Sequence, residues 1–229
     1  MLPRTPSYRL DGKRAVVIGG SRGIGLGCAV ALAEQGASVV IVARSKGQVF
    51  ETVNEMKSEG FSVSGAPMDV SIIDNVKNLM GEYSDIDILV NSAGIARHTP
   101  TVDTTELDFD DVMSVNVRSA YFLAQSAAKQ MISKGTGGSI IQISSQMAHV
   151  GGIDRAVYCG TKHAIEGINK SMAIEFGPYK IRVNSICPTF IRTPFTEPTF
   201  KDPEKVKWIE SKIKVGRVGE VEDIMGAVK

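Results

Sequence analysis

Short runs of β-branched residues recur along the chain, and stretches of helical length separate them. The runs are continuously apolar rather than alternating, which is typical of strands that are covered on both faces. Repeated strand–helix units predict an α/β fold, a Rossmann-type doubly wound parallel sheet in a three-layer αβα arrangement. The six predicted strands lie at 15–19, 38–43, 61–67, 86–94, 139–145 and 181–188.

The chain is expected to form a single domain over residues 1–229. It has 43% hydrophobic and 22% charged residues, which suits a globule with a sizeable core, and it contains no repeat or flexible linker. Only residues 188–215 break the strand–helix pattern, because four prolines and several aromatic residues cluster there. This segment is predicted to be a mobile loop over the substrate.

The overall charge and the cysteines exclude several classes of function. A formal charge of +1 gives no reason to expect nucleic acid or an anionic membrane as a partner. The three cysteines, Cys28, Cys159 and Cys187, are far apart, so neither a disulfide framework nor a metal site is predicted. The polar start, interrupted by Pro3 and Pro6, indicates a cytoplasmic protein.

The segment GGSRGIGLG follows the first predicted strand and opens a helix. In open parallel sheets, ligands bind beyond the carboxyl ends of the strands. Gly19, Gly23 and Gly25 would allow a tight turn and bring the backbone close to a pyrophosphate at the positive end of the helix. This turn predicts a dinucleotide site.

The end of the second strand indicates which dinucleotide is bound. Enzymes that bind NAD usually have Asp or Glu there, whereas this chain has Ala43 and Arg44. Arg44, together with Arg22 of the glycine turn, is suited to hold the 2′-phosphate of NADP(H) through charge-assisted hydrogen bonds. The alternative is that both arginines are simply solvated.

Polar residues also follow the third and fourth strands. Asp69 is equally suited to accept a hydrogen bond from an adenine amino group or to cap the next helix. Asn91 begins NSAG, whose small residues would let a cofactor approach the backbone. Asn91 itself either contacts that cofactor or only stabilises its own turn.

Six motifs follow one another in a fixed order: GGSRGIG at 19–25, NSAG at 91–94, SVNV at 114–117, ISS at 143–145, YCGTK at 158–162 and CPTFIRT at 187–193. In this order and spacing the chain resembles the short-chain dehydrogenase/reductase family over almost its whole length. It departs from the family pattern at Ile18, Ser92 and Thr189. The family normally continues past the last residue through a seventh strand, so we expect that strand to be missing.

The resemblance implies an NADPH-dependent enzyme that interconverts a ketone and a secondary alcohol, and a homo-oligomer, either a dimer or a tetramer. Its catalytic group would be Asn116, Ser145, Tyr158 and Lys162. Ser144 is a neighbouring alternative to Ser145, which the family's thirteen-residue spacing to Tyr158 disfavours. The implied cofactor-binding residues are Gly19, Ser21, Arg22, Gly23, Ile24, Gly25, Arg44, Asp69, Val70, Asn91, Ala93, Gly94, Tyr158, Lys162, Pro188, Ile191 and Thr193.

The proposed chemistry needs a proton donor near neutral pH. A free tyrosine has a pKa of about 10, which is too high for efficient exchange. Because Lys162 lies one helical turn after Tyr158, its ammonium is expected to lower the tyrosine pKa by about two units. Ser145 would hold the carbonyl oxygen, and Asn116 would fix a water that links Lys162 to solvent.

Evidence for the substrate is sparser. His149, Arg155, Arg192 and Phe195 are expected to line its pocket, which favours a polar or acidic ketone of the sugar, polyol or oxo-acid type. Two other functions remain open. One is a non-catalytic NADP(H)-binding regulator, and the other is a truncated homologue that only associates with full-length subunits.

Overall fold

The computed structural model describes residues 2–229 and contains one sheet of six parallel strands. The strand order is β3-β2-β1-β4-β5-β6, which confirms the predicted doubly wound, single-domain α/β fold. The strands are β1 (Arg14–Ile18), β2 (Ser38–Ala43), β3 (Val63–Pro67), β4 (Ile88–Asn91), β5 (Gly138–Ile143) and β6 (Ile181–Ile186).

Nine α-helices connect or follow the strands in the described part of the chain. They are α1 (Gly23–Glu34), α2 (Lys46–Ser58), α3 (Ile73–Glu82), α4 (Glu106–Met113), α5 (Ser119–Lys134), α6 (Ala156–Phe176), α7 (Glu197–Phe200), α8 (Pro203–Lys212) and α9 (Glu222–Met225). A π-helical turn, Ser114–Arg118, joins α4 to α5.

The two faces of the sheet explain why its strands are continuously apolar. In β1, Val16 and Ile18 belong to the core formed with α3, α5 and α6, whereas Ala15 and Val17 face the core formed with α1, α2 and α9. All four residues are essentially inaccessible to solvent. Each side chain of the strand is therefore buried, whichever face it points to.

The strand order also fixes where a ligand can bind. From β1 the chain proceeds to β2 and β3 on one side, and then crosses to β4, β5 and β6 on the other. Because the helices after β1 and β4 lie on opposite faces, a crevice opens beyond the carboxyl ends of these two strands.

The prediction of a loop over residues 188–215 is wrong, because α7 and α8 lie within it. Pro198 and Pro203 stand in the first turns of these helices, where no intrahelical N–H bond is lost. Asp202 caps α8 by accepting hydrogen bonds from the backbone N–H groups of Glu204 and Lys205. Among residues 2–229, no helix combines the length and the apolar character needed to span a bilayer.

Candidate active site

A cavity of about 700 Å³ opens at the carboxyl ends of β1, β2, β4 and β5. Most of the predicted site residues line it: Gly19, Ser21, Arg22, Gly23, Ile24, Arg44, Asp69, Val70, Ala93, Gly94, Ser145, Tyr158, Lys162, Pro188, Ile191 and Thr193. Gly25, Asn91 and Asn116 do not line it. The sheet therefore joins the glycine turn and the tyrosine helix in one crevice.

The glycine turn needs small residues for reasons of space and conformation. Gly19 has a φ of +74°, and a Cβ there would lie 2.9 Å from the carbonyl carbon of Ser92. A Cβ on Gly25 would lie only 2.1 Å from the carbonyl oxygen of Gly19. Gly25 thus packs α1 closely onto the turn and does not line the cavity.

The start of α1 is open towards the cavity. Within the described chain, neither a capping side chain at Arg22 nor an acidic residue in the first turn satisfies its N–H groups. Arg22 and Arg44 line the cavity, and neither forms an ion pair with any residue between 2 and 229. Helix N–H groups and two unpaired guanidinium groups suit a ligand that carries several phosphates.

Asp69 fixes the turn after β3. Its Oδ1 accepts hydrogen bonds from the backbone N–H and the hydroxyl of Ser71, at 2.9 and 2.7 Å. Burial opposes ionisation of Asp69, but these bonds and the charge of Arg44 outweigh it, so the carboxyl pKa lies below its usual value. Asp69 does not cap α3, which begins at Ile73, and its side chain lines the cavity.

Asn91 is fully engaged inside the protein. Its Oδ1 accepts from the N–H of Ala93 at 3.1 Å, and its Nδ2 donates to Gln142 at 2.8 Å. The side chain is buried and does not reach the cavity. Of the two predicted roles, the structure supports stabilisation of the turn and not contact with a cofactor.

Tyr158 and Lys162 lie one turn apart on the cavity side of α6. The Lys162 Nζ is 5.6 Å from the centroid of the Tyr158 ring and donates a hydrogen bond of 2.9 Å to the carbonyl of Ile143. Ser145 follows β5 and lines the same cavity. These three side chains therefore face the same part of the cavity.

The effect of Lys162 on Tyr158 differs from the sequence-based expectation. Burial raises the pKa of Tyr158 above its ordinary value, and the opposing influences of Ser145 and Arg155 are weaker. Burial also lowers the pKa of Lys162 to about 8, against the charges of Cys187 and Glu166. The predicted decrease of about two units in the tyrosine pKa is therefore wrong for the free protein, and Tyr158 keeps its proton.

Asn116 ties the strand ends to α6. From the π-helical turn, its Nδ2 donates to the carbonyl of Ile95 and to the hydroxyl of Thr161, while its Oδ1 accepts from the N–H of Ile95. A Cβ on Gly94 would lie 3.6 Å from the Asn116 Oδ1 and 3.8 Å from the Lys162 Nζ. Both amide hydrogens of Asn116 are thus already used, and only its Oδ1 can bind another group.

The predicted substrate-pocket residues divide into two groups. Phe195 lines the cavity. The Arg155 guanidinium, three residues before Tyr158, lies close enough for its charge to oppose the rise in the Tyr158 pKa. Arg192 instead pairs with Glu220 at 3.3 Å and stacks on Phe200, so it is not available to the cavity. His149 is exposed and lies outside the cavity lining.

One neighbour of the predicted catalytic tyrosine was missed from the sequence. The ring of His98 packs edge-on against the ring of Tyr158, with 6.0 Å between centroids. Burial, Arg155 and Lys205 lower the His98 pKa, so the imidazole is neutral near pH 7. The only sequence signal was its place shortly after the carboxyl end of β4.

Comparisons with known proteins agree with this geometry. The family model described as short chain dehydrogenase matches residues 13–204. The chain is 36% identical over 224 residues to gluconate 5-dehydrogenase of Gluconobacter oxydans, covering 96% of this chain and 87% of that protein. It is 34% identical over 219 residues to human L-xylulose reductase, with 96% and 88% covered.

Two solved structures show the same architecture. A putative 2-deoxy-D-gluconate 3-dehydrogenase from Agrobacterium tumefaciens with bound NADP has a TM-score of 0.92 and 37% identity, covering 96% of this chain and 89% of that chain. A gluconate 5-dehydrogenase from Burkholderia cenocepacia, in complex with NADP and tartrate, has a TM-score of 0.92 and 33% identity, with 96% and 88% covered.

Proposed function

Because the chain belongs to the short-chain dehydrogenase family, we propose that it is an oxidoreductase that interconverts a ketone and a secondary alcohol with NADP(H). One observation carries this proposal. A single cavity joins the open start of α1 and two unpaired arginines to Tyr158, Lys162 and Ser145. A protein that only binds the cofactor would have no need for the second group.

The residues that line the cavity fit NADP(H). Gly19 and Gly23 leave room for the pyrophosphate beside the N–H groups of α1, and Arg22 and Arg44 supply charge for the 2′-phosphate. Two structural neighbours contain bound NADP. When bound, the nicotinamide ring supplies or accepts the hydride.

The chain's own residues handle the proton. In the direction of reduction, Tyr158, which is protonated at neutral pH, donates its proton to the carbonyl oxygen. Ser145 holds the same oxygen in place. Lys162 stabilises the phenolate that remains, since the cost of burying each charge falls when the two are paired. Asn116 acts as a positioning residue, because it fixes Thr161 next to Lys162.

We assign the substrate to the sugar, polyol or oxo-acid class. Polar groups flank the reacting tyrosine, since Arg155 and His98 both lie beside Tyr158. Relatives named gluconate 5-dehydrogenase and L-xylulose reductase support the same class. We assign the substrate to the part of the cavity lined by residues 193–196, which include Phe195.

A panel of ketones tests the proposal. NADPH oxidation is followed with sugar-derived oxo acids, with ketoses and with bulky apolar ketones, and we expect the highest kcat/KM for one of the first two groups. A preference for the apolar ketones would contradict the substrate class. Tight NADPH binding without turnover on any substrate would favour the non-catalytic, cofactor-binding alternative.

The chain is further proposed to form a homo-oligomer and to work in the cytoplasm. Large apolar side chains are exposed on three helices, including Leu107 and Phe109 on α4, Tyr121 on α5 and Ile174 on α6, which supports association between copies. The three free cysteines are consistent with a reducing compartment. To test the homo-oligomer, sedimentation velocity should show a species of at least twice the 24.6 kDa chain mass. A monomer at micromolar concentration would contradict the proposed association.

A further inference from the structure

Three side chains that can bind a metal ion converge behind Lys162, outside the cavity lining. His149 follows the turn after β5, Glu166 lies on α6 one turn beyond Lys162, and Cys187 follows β6. Each offers one ligand atom, and these atoms all lie within 4.8 Å of one another. The convergence results from tertiary structure, since the three residues are widely separated in the sequence.

We propose that this His–Glu–Cys cluster is a binding site for Zn²⁺ or a similar borderline-soft divalent ion. Imidazole nitrogen, thiolate sulfur and carboxylate oxygen are the donors that zinc prefers, whereas Mg²⁺ and Ca²⁺ take oxygen alone. Tetrahedral zinc ligands at about 2.0–2.3 Å from the ion are separated by roughly 3.3–3.8 Å. The cluster therefore needs to contract by about 1 Å, which the exposed His149 side chain can supply by rotating.

The rest of the cluster is already held in position. The Ser185 hydroxyl donates to Glu166 Oε2 at 2.8 Å, and the Cys187 thiol lies 3.6 Å from Oε1. The Glu166 carboxylate is thus held in place beside the Cys187 thiol.

Ser144 provides an independent indication of an unfilled polar site. The residue is only 4% exposed, and its buried Oγ has no hydrogen-bond partner among residues 2–229. The same hydroxyl lies beside Glu166 and Cys187. Buried hydroxyls normally have a partner, so this one is suited to face a ligand, directly or through water.

Titration of the full-length, metal-free protein with ZnCl₂ in a calorimeter tests the proposal. We expect one Zn²⁺ per chain. We also expect Cys187→Ser and His149→Ala each to weaken zinc affinity by about tenfold or more. His163→Ala is the matched control, since this exposed histidine on α6 bonds only the carbonyl of Cys159 among the described residues. Its zinc affinity should equal that of the wild type.

Cobalt provides a second readout that reports the ligand directly. Co²⁺ added to the wild type should give a thiolate-to-metal absorption band in the near ultraviolet, and Cys187→Ser should lack it. Absence of zinc binding, a cobalt spectrum without that band, or equal affinity in all variants would overturn the site. Because neither measurement involves turnover, failure here leaves the proposed oxidoreductase activity untouched, and the reverse also holds.

Discussion

At the scale of single residues, burial is the main cause of the pKa shifts of the predicted catalytic pair, Tyr158 and Lys162. Tyr158 and Lys162 are only one turn apart, yet the pKa of the first is raised and that of the second is lowered to about 8. Both shifts favour the neutral form, as expected when charges leave water. The spacing of the two residues is visible in the sequence, whereas the depth at which they lie depends on the packed fold.

Replacing Tyr158 with Phe should remove the proton donor and leave the rest of the cavity in place. We expect kcat/KM to fall by about 10²–10⁴-fold, with NADPH affinity nearly unchanged. Tyr179→Phe is the control, because Tyr179 is half exposed and does not line the cavity. Steady-state kinetics and NADPH fluorescence titration measure the two effects, and full activity in Tyr158→Phe would disprove the assigned role.

The buried ammonium of Lys162 should make the free energy of unfolding rise with pH between about 8 and 10.5. A lysine whose pKa falls from 10.5 to about 8 on folding destabilises the charged native state below pH 8, and this penalty disappears as pH rises towards 10.5. Relative to Lys162→Met, the wild type should therefore gain about 3 kcal/mol in unfolding free energy between pH 8 and 10.5. Urea unfolding at several pH values checks this, and parallel curves for the two proteins would contradict it.

Arg44 should determine which cofactor is preferred. Arg44→Gln removes one charge-assisted contact to the 2′-phosphate, so we expect NADPH affinity to fall about 10–100-fold while NADH affinity stays the same. Arg4→Gln is the matched control, because Arg4 is exposed and lies outside the cavity lining. Cofactor titrations would contradict the assignment if the Arg44 variant lost affinity for both cofactors equally.

At the scale of elements, the contact between α1 and its preceding turn depends on Gly25. Gly25→Ala would place a methyl group 2.1 Å from the Gly19 carbonyl oxygen, and we expect a loss of about 3 kcal/mol or more in stability. Gly81→Ala on α3 has nothing within 4 Å and should stabilise by about 0.5–1 kcal/mol. Denaturant midpoints of the two variants should move in opposite directions, and a neutral Gly25→Ala would contradict the packing described here.

The strands could be predicted from the sequence, because burial on both faces leaves a continuous apolar run. The helices within residues 188–215 could not be predicted in this way. Proline is typical of loops but is also common in the first turn of a helix, where Pro198 and Pro203 stand. Asn91 left two roles open in the sequence, and only its bonds to Ala93 and Gln142 decide between them. Local pattern thus predicts an element better than it predicts the direction of a side chain.

At the scale of the whole molecule, the meeting of the glycine turn with α6 followed from topology alone. The carboxyl ends of parallel strands share one edge, so a correct strand order brings Arg44, Ser145 and Tyr158 together. The contact of His98 with Tyr158 and the cluster formed by His149, Glu166 and Cys187 could not be predicted in this way. These contacts depend on the conformations of the loops that follow the strands, which no short sequence motif specifies.

The position of β1 in the middle of the sheet has a consequence for backbone dynamics. Its amides pair with β2 or β4 on both sides, whereas β3 and β6 each have one neighbour, and Arg182 and Asn184 of β6 are exposed. Deuterium uptake should accordingly be slowest in Ala15–Ile18 and should quicken towards both edges, with β6 opening without global unfolding. Mass spectrometry of peptic fragments would show this gradient, and uniform protection across all six strands would mean that the sheet opens only as a unit.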